Sequence, residues 1–130
     1  MKKIFFMLAF LLLAFTGQSQ TAPTAESRAK AMTTGMVQNL RLTPAQTAKI
    51  QEINLSSIQQ VEQAKVKYKA APLKLKAEID QIGRTRLTSI KETLTPQQFD
   101  QFQMMREKKM GISRDGSQPG GNAALNEYNN

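Results

Sequence analysis

The sequence predicts an all-α protein whose main element is an elongated helical hairpin with short flanking helices. Apolar residues recur at steps of three and four through most of the chain, which is the period of an amphipathic helix. The phrase LTPAQ at 42–46 also returns as LTPQQ at 94–98, and each copy has the composition of a helix start. No segment stands out as a candidate strand.

The first nineteen residues have the features of a secretory signal peptide rather than of a folded element. Lys2-Lys3 precede the apolar run IFFMLAFLLLAF, and small residues before the expected cleavage site after Ser19 complete the pattern. The twelve apolar residues fall short of the roughly 20 that a membrane-spanning helix needs. We therefore expect residues 1–19 to be removed and no stable membrane anchor to remain.

The rest of the chain is predicted to form one small helical domain over residues 20–111, followed by a disordered tail over 112–130. Without Lys2 and Lys3 it keeps 16 of the 18 basic residues against 10 acidic ones, a net charge of +6. The tail, ISRDGSQPGGNAALNEYNN, has no period and is rich in Gly, Asn and Ser. Outside the cytoplasm a basic protein is expected to meet acidic protein segments or anionic lipids rather than nucleic acid.

The apolar period predicts four helices, near residues 24–40, 44–70, 73–93 and 96–110. Pro72 is expected to end the second helix. The connection around Pro72 is so short that the second and third helices should form an antiparallel hairpin. Gly111 stands where the glycine cap of the last helix belongs.

Each repeated phrase is predicted to cap a helix through its Thr, Pro and Gln. The Thr hydroxyl can accept a free backbone N–H, and a Pro at the first helical position loses no hydrogen bond. The Gln three residues after the Thr can reach back to the Thr N–H, and the preceding Leu can pack on the first turn. The predicted motif residues are Leu42, Thr43 and Gln46 in the first copy, and Leu94, Thr95 and Gln98 in the second.

A homodimer is predicted because the apolar residues exceed what a single hairpin can cover. The chain after the signal peptide has no Trp and few large apolar side chains, so its core must be thin. Leu55, Ile58 and Val66 lie off the main apolar stripe of the second helix. A partner copy would bury this surplus through a self-complementary face, giving a curved antiparallel dimer.

The sequence offers little for catalysis, and we expect a protein that is not an enzyme and that holds no cofactor or metal. It has no His and no Cys, which removes the usual nucleophile–base pairs and the usual zinc ligands. The acidic residues are scattered singly along the helices, and no Gly-rich phosphate loop is present.

A lysine cluster at the predicted hairpin end is the first candidate binding surface. Its residues are Lys65, Lys67, Tyr68, Lys69, Lys74 and Lys76, interleaved with apolar side chains. Such a surface could attract acidic, partly unfolded chains by charge and hold them by weak apolar contact. The alternative is a solvated hairpin tip without a binding role.

The methionines are the second candidate. Methionine adapts to varied partners on binding surfaces, and its thioether can also ligate copper(I). The alternative is ordinary packing between helices, and only Met32 and Met36 share a helical face that could meet one ion. The set comprises Met32, Met36, Met104, Met105 and Met110.

The two LTxxQ phrases, the signal peptide and the helical pattern resemble the Spy/CpxP family of periplasmic proteins, which is defined by that repeated motif. The resemblance covers roughly residues 25 to 110. It implies a thin, curved helical protein that dimerises as a cradle in the periplasm. It also implies ATP-independent chaperone activity on unfolded or misfolded envelope proteins.

Two other functions stay open beside the chaperone. One is a regulatory binder that acts on an envelope-stress sensor through a specific interface. The other is a metal-resistance protein that uses methionine. The zinc-resistance and metal-sensing members of the Spy/CpxP family rely on His, and this chain has none.

Overall fold

The computed structural model describes residues 21–111 and 127–128, and four α-helices occupy most of the first range. They are α1 (Ala25–Leu40), α2 (Pro44–Lys67), α3 (Pro72–Thr93) and α4 (Pro96–Met110). No strand occurs in either range. The predicted all-α fold is therefore confirmed, whereas the predicted signal peptide lies outside the described residues.

Local capping chemistry sets most of the helix ends. Thr24, Thr43 and Thr95 are the N-caps of α1, α2 and α4, and each hydroxyl accepts a backbone N–H from the third helical residue. At the other end of α4, Gly111 has a φ of 66°, as in a left-handed C-terminal cap. Arg41 ends α1 in the same left-handed region, with a φ of 53°.

The helices α2 and α3 form the predicted antiparallel hairpin. Ile50 near the start of α2 shares an apolar cluster with Ile90 near the end of α3. Val61 near the end of α2 shares a second cluster with Ile79 near the start of α3. The two helices therefore run in opposite directions along their whole contact.

The bounds of this hairpin differ from the predicted ones. The helix α2 ends at Lys67 rather than at 70, and Pro72 is the first residue of α3 rather than a separator. A proline at the first helical position has no N–H to leave unpaired, so it starts a helix well. It also disfavours helical geometry in the residue before it, and Ala71 accordingly has φ −134° and ψ 71°.

The helix α1 packs along α2 and covers apolar residues that the hairpin alone would leave exposed. Ile58 is completely buried in a cluster with Ala29 of α1, and Leu55 packs against the same cluster. The sequence places Ile58 off the main apolar stripe of α2, but α2 is covered on two sides because both α1 and α3 pack on it. The dimer is predicted from apolar residues that the hairpin cannot cover, and α1 covers part of them. The dimer itself stays a prediction.

The last described residues differ from the predicted disordered tail. Glu127 and Tyr128 are helical and buried, with exposed fractions of 8% and 1%. Tyr128 belongs to the cluster of α1, α2 and α3, where it fills a place beside Ile79 and Ile82. The aromatic ring gives this segment the apolar area that its polar neighbours lack. The other residues of the predicted tail lie outside the described part of the chain.

Candidate functional site

The two repeated phrases each form a reciprocal cap. Thr43 Oγ1 and Thr95 Oγ1 accept the backbone N–H of Gln46 and Gln98, each at 3.2 Å. In return, the side-chain oxygen of each Gln accepts the backbone N–H of its Thr at 3.0 Å. Two backbone donors that a helix start leaves unpaired are thus satisfied in α2 and again in α4.

The same two glutamines also bond to each other, although 52 positions separate them. Gln46 Nε2 donates to Gln98 Oε1 at 2.8 Å, and Gln98 Nε2 donates to Gln46 Oε1 at 3.2 Å. Gln46 Nε2 also donates to the carbonyl of Thr93, and Gln98 Nε2 to the carbonyl of Leu40, each at 3.2 Å. Each glutamine therefore caps the start of its own helix and the end of the helix that precedes the other phrase.

The leucines of the two phrases pack into the apolar cluster beneath this junction. Leu94 is buried and Leu42 is partly buried against the cluster that contains Phe102 of α4. The six motif residues thus tie the α1–α2 and α3–α4 turns together. Their polar groups bond to one another, which suits a structural role for the motifs.

The predicted lysine cluster lies at the other end of α2, around the turn into α3. Lys67, Lys69, Lys74 and Lys76 are exposed, and Lys65 is partly buried. Lys76 pairs with Asp80 at 2.7 Å, and Lys67 Nζ lies 5.1 Å from the centre of the Tyr68 ring. Residues 65–76 contain five lysines and no acidic residue, so the surface keeps its positive character although Lys76 is paired.

Two large apolar side chains stand exposed among these lysines. Val66 is 80% exposed and Leu73 is 83% exposed, one on each side of the hairpin turn. Tyr68 is partly buried against the neighbouring core. We call this region, Lys65 to Lys76, the hairpin end. It combines positive charge with uncovered apolar area, as the sequence predicted from the interleaved residue types.

Four of the five predicted methionines come together at a cavity of about 240 Å³ between α1 and α4. They are Met32, Met36, Met105 and Met110, whereas Met104 lies elsewhere and is 47% exposed. Arg86, Arg106 and Lys109 also line the cavity together with one carboxylate, that of Glu127, so the charged side chains around it are positive on balance and oppose a bound cation. The described residues contain no group of three or more His, Cys, Asp or Glu able to hold a metal ion.

A network of buried polar side chains crosses the bundle, beyond what the sequence pattern predicts. Asn54 Nδ2 donates to Thr33 Oγ1 at 3.0 Å, and Asn54 Oδ1 accepts from Arg86 Nε and Nη2 at 3.0 and 2.9 Å. Arg86 Nη1 donates to Glu127 Oε1 at 2.6 Å. Arg106 Nε donates to the other Glu127 oxygen at 3.4 Å. Arg86 is only 5% exposed, so its charge depends on these partners.

The sequence does contain a signal for this network of buried polar side chains. Position 86 falls in step with Ile82 and Ile90 on the apolar face of α3, where an arginine is out of place. Asn54 likewise follows Ile50 at a step of four on α2. Polar residues at buried positions indicate a paired network, because an unpaired one is costly.

Comparison with known proteins places the chain in a family. None of the described helices is long and apolar enough to cross a membrane. Searches of curated proteins and of solved structures give no significant match. One family model, described as Domain of unknown function (DUF4890), matches residues 16–114. That description assigns no function, so it neither supports nor excludes the Spy/CpxP resemblance. Because the match includes all four helices and both LTxxQ phrases, the protein belongs to the DUF4890 family.

Proposed function

We propose that the protein is an ATP-independent periplasmic chaperone that holds unfolded or misfolded envelope proteins. The observation that carries the proposal is the hairpin end, where Val66 and Leu73 stay exposed among five lysines. Exposed apolar area rimmed by polar residues marks interaction sites in proteins, and Val66 and Leu73 are the apolar side chains that such a site would use here. The LTxxQ resemblance and the predicted signal peptide support the periplasmic setting.

The hairpin end would act in two steps. Its lysines attract acidic segments of unfolded chains over a distance, which raises the rate of encounter. Val66 and Leu73 then hold apolar segments of the client through a small contact. Each such side chain contributes at most about 1.5–3 kcal/mol when it becomes fully buried. Binding of that strength permits release without an energy source.

The test is light scattering of a chemically denatured acidic client, diluted with and without the mature protein and without ATP. We expect an equimolar amount of the parent to slow aggregation. Lys→Gln replacement at all five lysines of the hairpin end should slow capture at low salt. The difference from the parent should shrink above 0.1 M salt, because exposed charges separated by more than about 10 Å are screened there.

A matched control removes the same charge elsewhere. Lys→Gln replacement at five exposed lysines outside the hairpin end lowers the net charge equally. These are Lys30, Lys49, Lys91, Lys108 and Lys109. The control should capture the client nearly as well as the parent. Equal loss in both variants would mean that net charge, not the hairpin end, drives capture. A parent without any protective effect would overturn the chaperone proposal.

The same purified protein can be used to test the regulatory-binder and metal-resistance alternatives. One tight, saturable partner from the envelope, with no effect on unrelated clients, would favour the regulatory binder of a stress sensor. A rise in melting temperature with copper(I) that is lost in Met32→Leu and Met36→Leu would favour metal resistance. Metal resistance is the least supported of the three functions, because cationic side chains line the methionine cavity and oppose metal binding.

The homodimer belongs to the same proposal. The large apolar side chains that remain exposed among the described residues are Val66, Leu73 and, to a lesser extent, Met104. A dimer face that covered Val66 and Leu73 would compete with clients for the hairpin end. A fall in chaperone activity per chain as concentration favours dimerisation would therefore place the dimer face on the hairpin end. Analytical ultracentrifugation at tens of micromolar, about the range in which a real interface persists, tests the dimer directly.

A further inference from the structure

Glu127 and Tyr128 occupy a slot formed by all four helices. The preceding described residue is Gly111, so these two residues reach the slot after a connection of fifteen residues, 112–126. Within the slot they make side-chain and backbone contacts of the kind that a bound peptide makes.

The tyrosine supplies the apolar part of the contact. Tyr128 is 1% exposed and lies in one cluster with Ile58, Val61, Ile79 and Ile82 of α2 and α3. The α-carbon of Gly83 faces its hydroxyl, and a β-carbon there would come within 3.7 Å of that oxygen. That distance is an ordinary van der Waals contact, so the phenol lies directly beside α3 at this position.

Three arginines surround the pair from three helices. Arg28 Nη1 of α1 donates to the backbone carbonyl of Tyr128 at 3.0 Å. Arg86 of α3 bonds to Glu127 Oε1 at 2.6 Å, and its guanidinium carbon lies 5.9 Å from the centre of the Tyr128 ring. Arg106 of α4 bonds to the second oxygen of Glu127. The slot thus recognises a backbone carbonyl, a carboxylate and an aromatic ring.

The arginine at the centre is held in place without help from the tail. Asn54 Oδ1 accepts two hydrogen bonds from Arg86, and Asn54 itself donates to Thr33. The guanidinium is therefore oriented by α1 and α2, and its remaining Nη1 donor points to the carboxylate. A donor fixed in this way is suited to bind a carboxylate with little loss of side-chain entropy.

We propose that this slot is a binding site for acidic–aromatic protein segments, of the type Glu-Tyr, and that the chain's own Glu127-Tyr128 is its resident occupant. A client segment of the same chemistry takes the slot when the resident pair leaves it. The site is separate from the lysines of the hairpin end, and the proposal does not depend on chaperone activity.

The test uses the full chain with Glu127→Gln and Tyr128→Ala, which vacates the slot. The probe is a fluorescein-labelled peptide with the sequence of residues 120–130, followed by fluorescence anisotropy. We expect the vacated chain to bind the peptide at least about tenfold more tightly than the parent does, since a tethered segment competes at a millimolar effective concentration. A control peptide with Gln for Glu and Ala for Tyr should not bind.

The expected result needs a chain that remains folded, which circular dichroism checks. A vacated chain of parental helicity that binds the peptide no better than the parent, or no better than the control peptide, overturns the proposal. If the vacated chain loses helicity, a parent with a protease site inserted within 112–126 replaces it and is cleaved after folding. Exchange of the labelled peptide for the cleaved segment supports the site. A cleaved segment that never exchanges makes the pair a permanent part of the core and overturns the proposal.

Discussion

Gln46 and Gln98 exchange a pair of side-chain hydrogen bonds, at 2.8 and 3.2 Å, across the junction of two helix starts. The oxygen of each side-chain amide also caps the start of one helix, and its nitrogen caps the end of another. The two phrases therefore do more than begin two helices independently. The glutamines make the start of α2 and the start of α4 one connected polar unit.

This connection predicts that the two glutamines are energetically coupled. Gln46→Ala and Gln98→Ala should each cost about 1–3 kcal/mol of unfolding free energy, because each leaves polar partners unpaired. Their double variant should depart from additivity by about 0.5–3 kcal/mol, as contacting residues do. Urea unfolding of the four chains measures the coupling. Gln46→Ala combined with Thr24→Ala, the N-cap of α1, is the control and should be additive.

The hydroxyl groups of the N-cap threonines of α2 and α4 should each stabilise the protein by accepting a backbone hydrogen bond. Thr43→Ala and Thr95→Ala are expected to cost roughly 1 kcal/mol each, since the Gln46 and Gln98 backbone N–H groups lose their acceptors. Thr85→Ala, at an exposed position inside α3, should cost nothing, because alanine favours a helix interior. Unchanged urea midpoints in both capping variants would contradict the reciprocal caps.

The buried arginine should be among the most sensitive positions of the chain. Arg86→Ala removes the buried partner of Asn54 Oδ1 and of Glu127 Oε1, and we expect a loss of about 3–5 kcal/mol. Arg84→Ala, an exposed arginine two residues away on α3, should change stability by less than about 0.5 kcal/mol. Thermal melts of both variants provide the comparison. Equal effects would mean that the buried polar network around Arg86 contributes little to stability.

The phenol of Tyr128 should matter less than its ring. The hydroxyl is buried without a hydrogen bond of normal geometry among the described residues, although the charge of Arg86 lies close by. Tyr128→Phe is therefore expected to stay within about 1 kcal/mol of the parent. Tyr128→Ala, which also empties the space of the ring, should cost about 3–5 kcal/mol. A Phe variant as unstable as the Ala variant would show that the hydroxyl has an essential partner.

The same residue predicts a pH dependence at alkaline pH. Burial raises the pKa of Tyr128 above its ordinary value of 10.0, against the opposing charge of Arg86. The unfolded chain then loses the proton first, so the contribution of this group to stability is complete below pH 10 and is lost above it. The stability of the parent relative to Tyr128→Phe should fall as pH rises beyond about 10. A constant difference between the two chains from pH 8 to 11, measured by urea unfolding, would contradict the raised pKa.

The sequence by itself determined the features that depend on neighbouring residues. The four helices follow from apolar residues at helical spacing, and their starts follow from Thr, Pro and Gln within one turn. The hairpin is also local, because only four residues join Lys67 to Pro72. Four of the five hairpin lysines, all but Lys65, are exposed, and so is Val66. The bounds at 67 and 72 differed because a proline can begin a helix as readily as it ends one.

Only the tertiary structure decided which distant residues are partners. Gln46 and Gln98 each complete a cap within four residues, so nothing local required that their amides also meet. The pairing arises because α1 and α3 end at the same place in the bundle. Arg86 could be recognised as misplaced on an apolar face, but its partners Asn54 and Glu127 lie 32 and 41 residues away. Tyr128 follows a polar segment without helical period, and its burial depends on a slot that exists only after α1, α2 and α3 have packed.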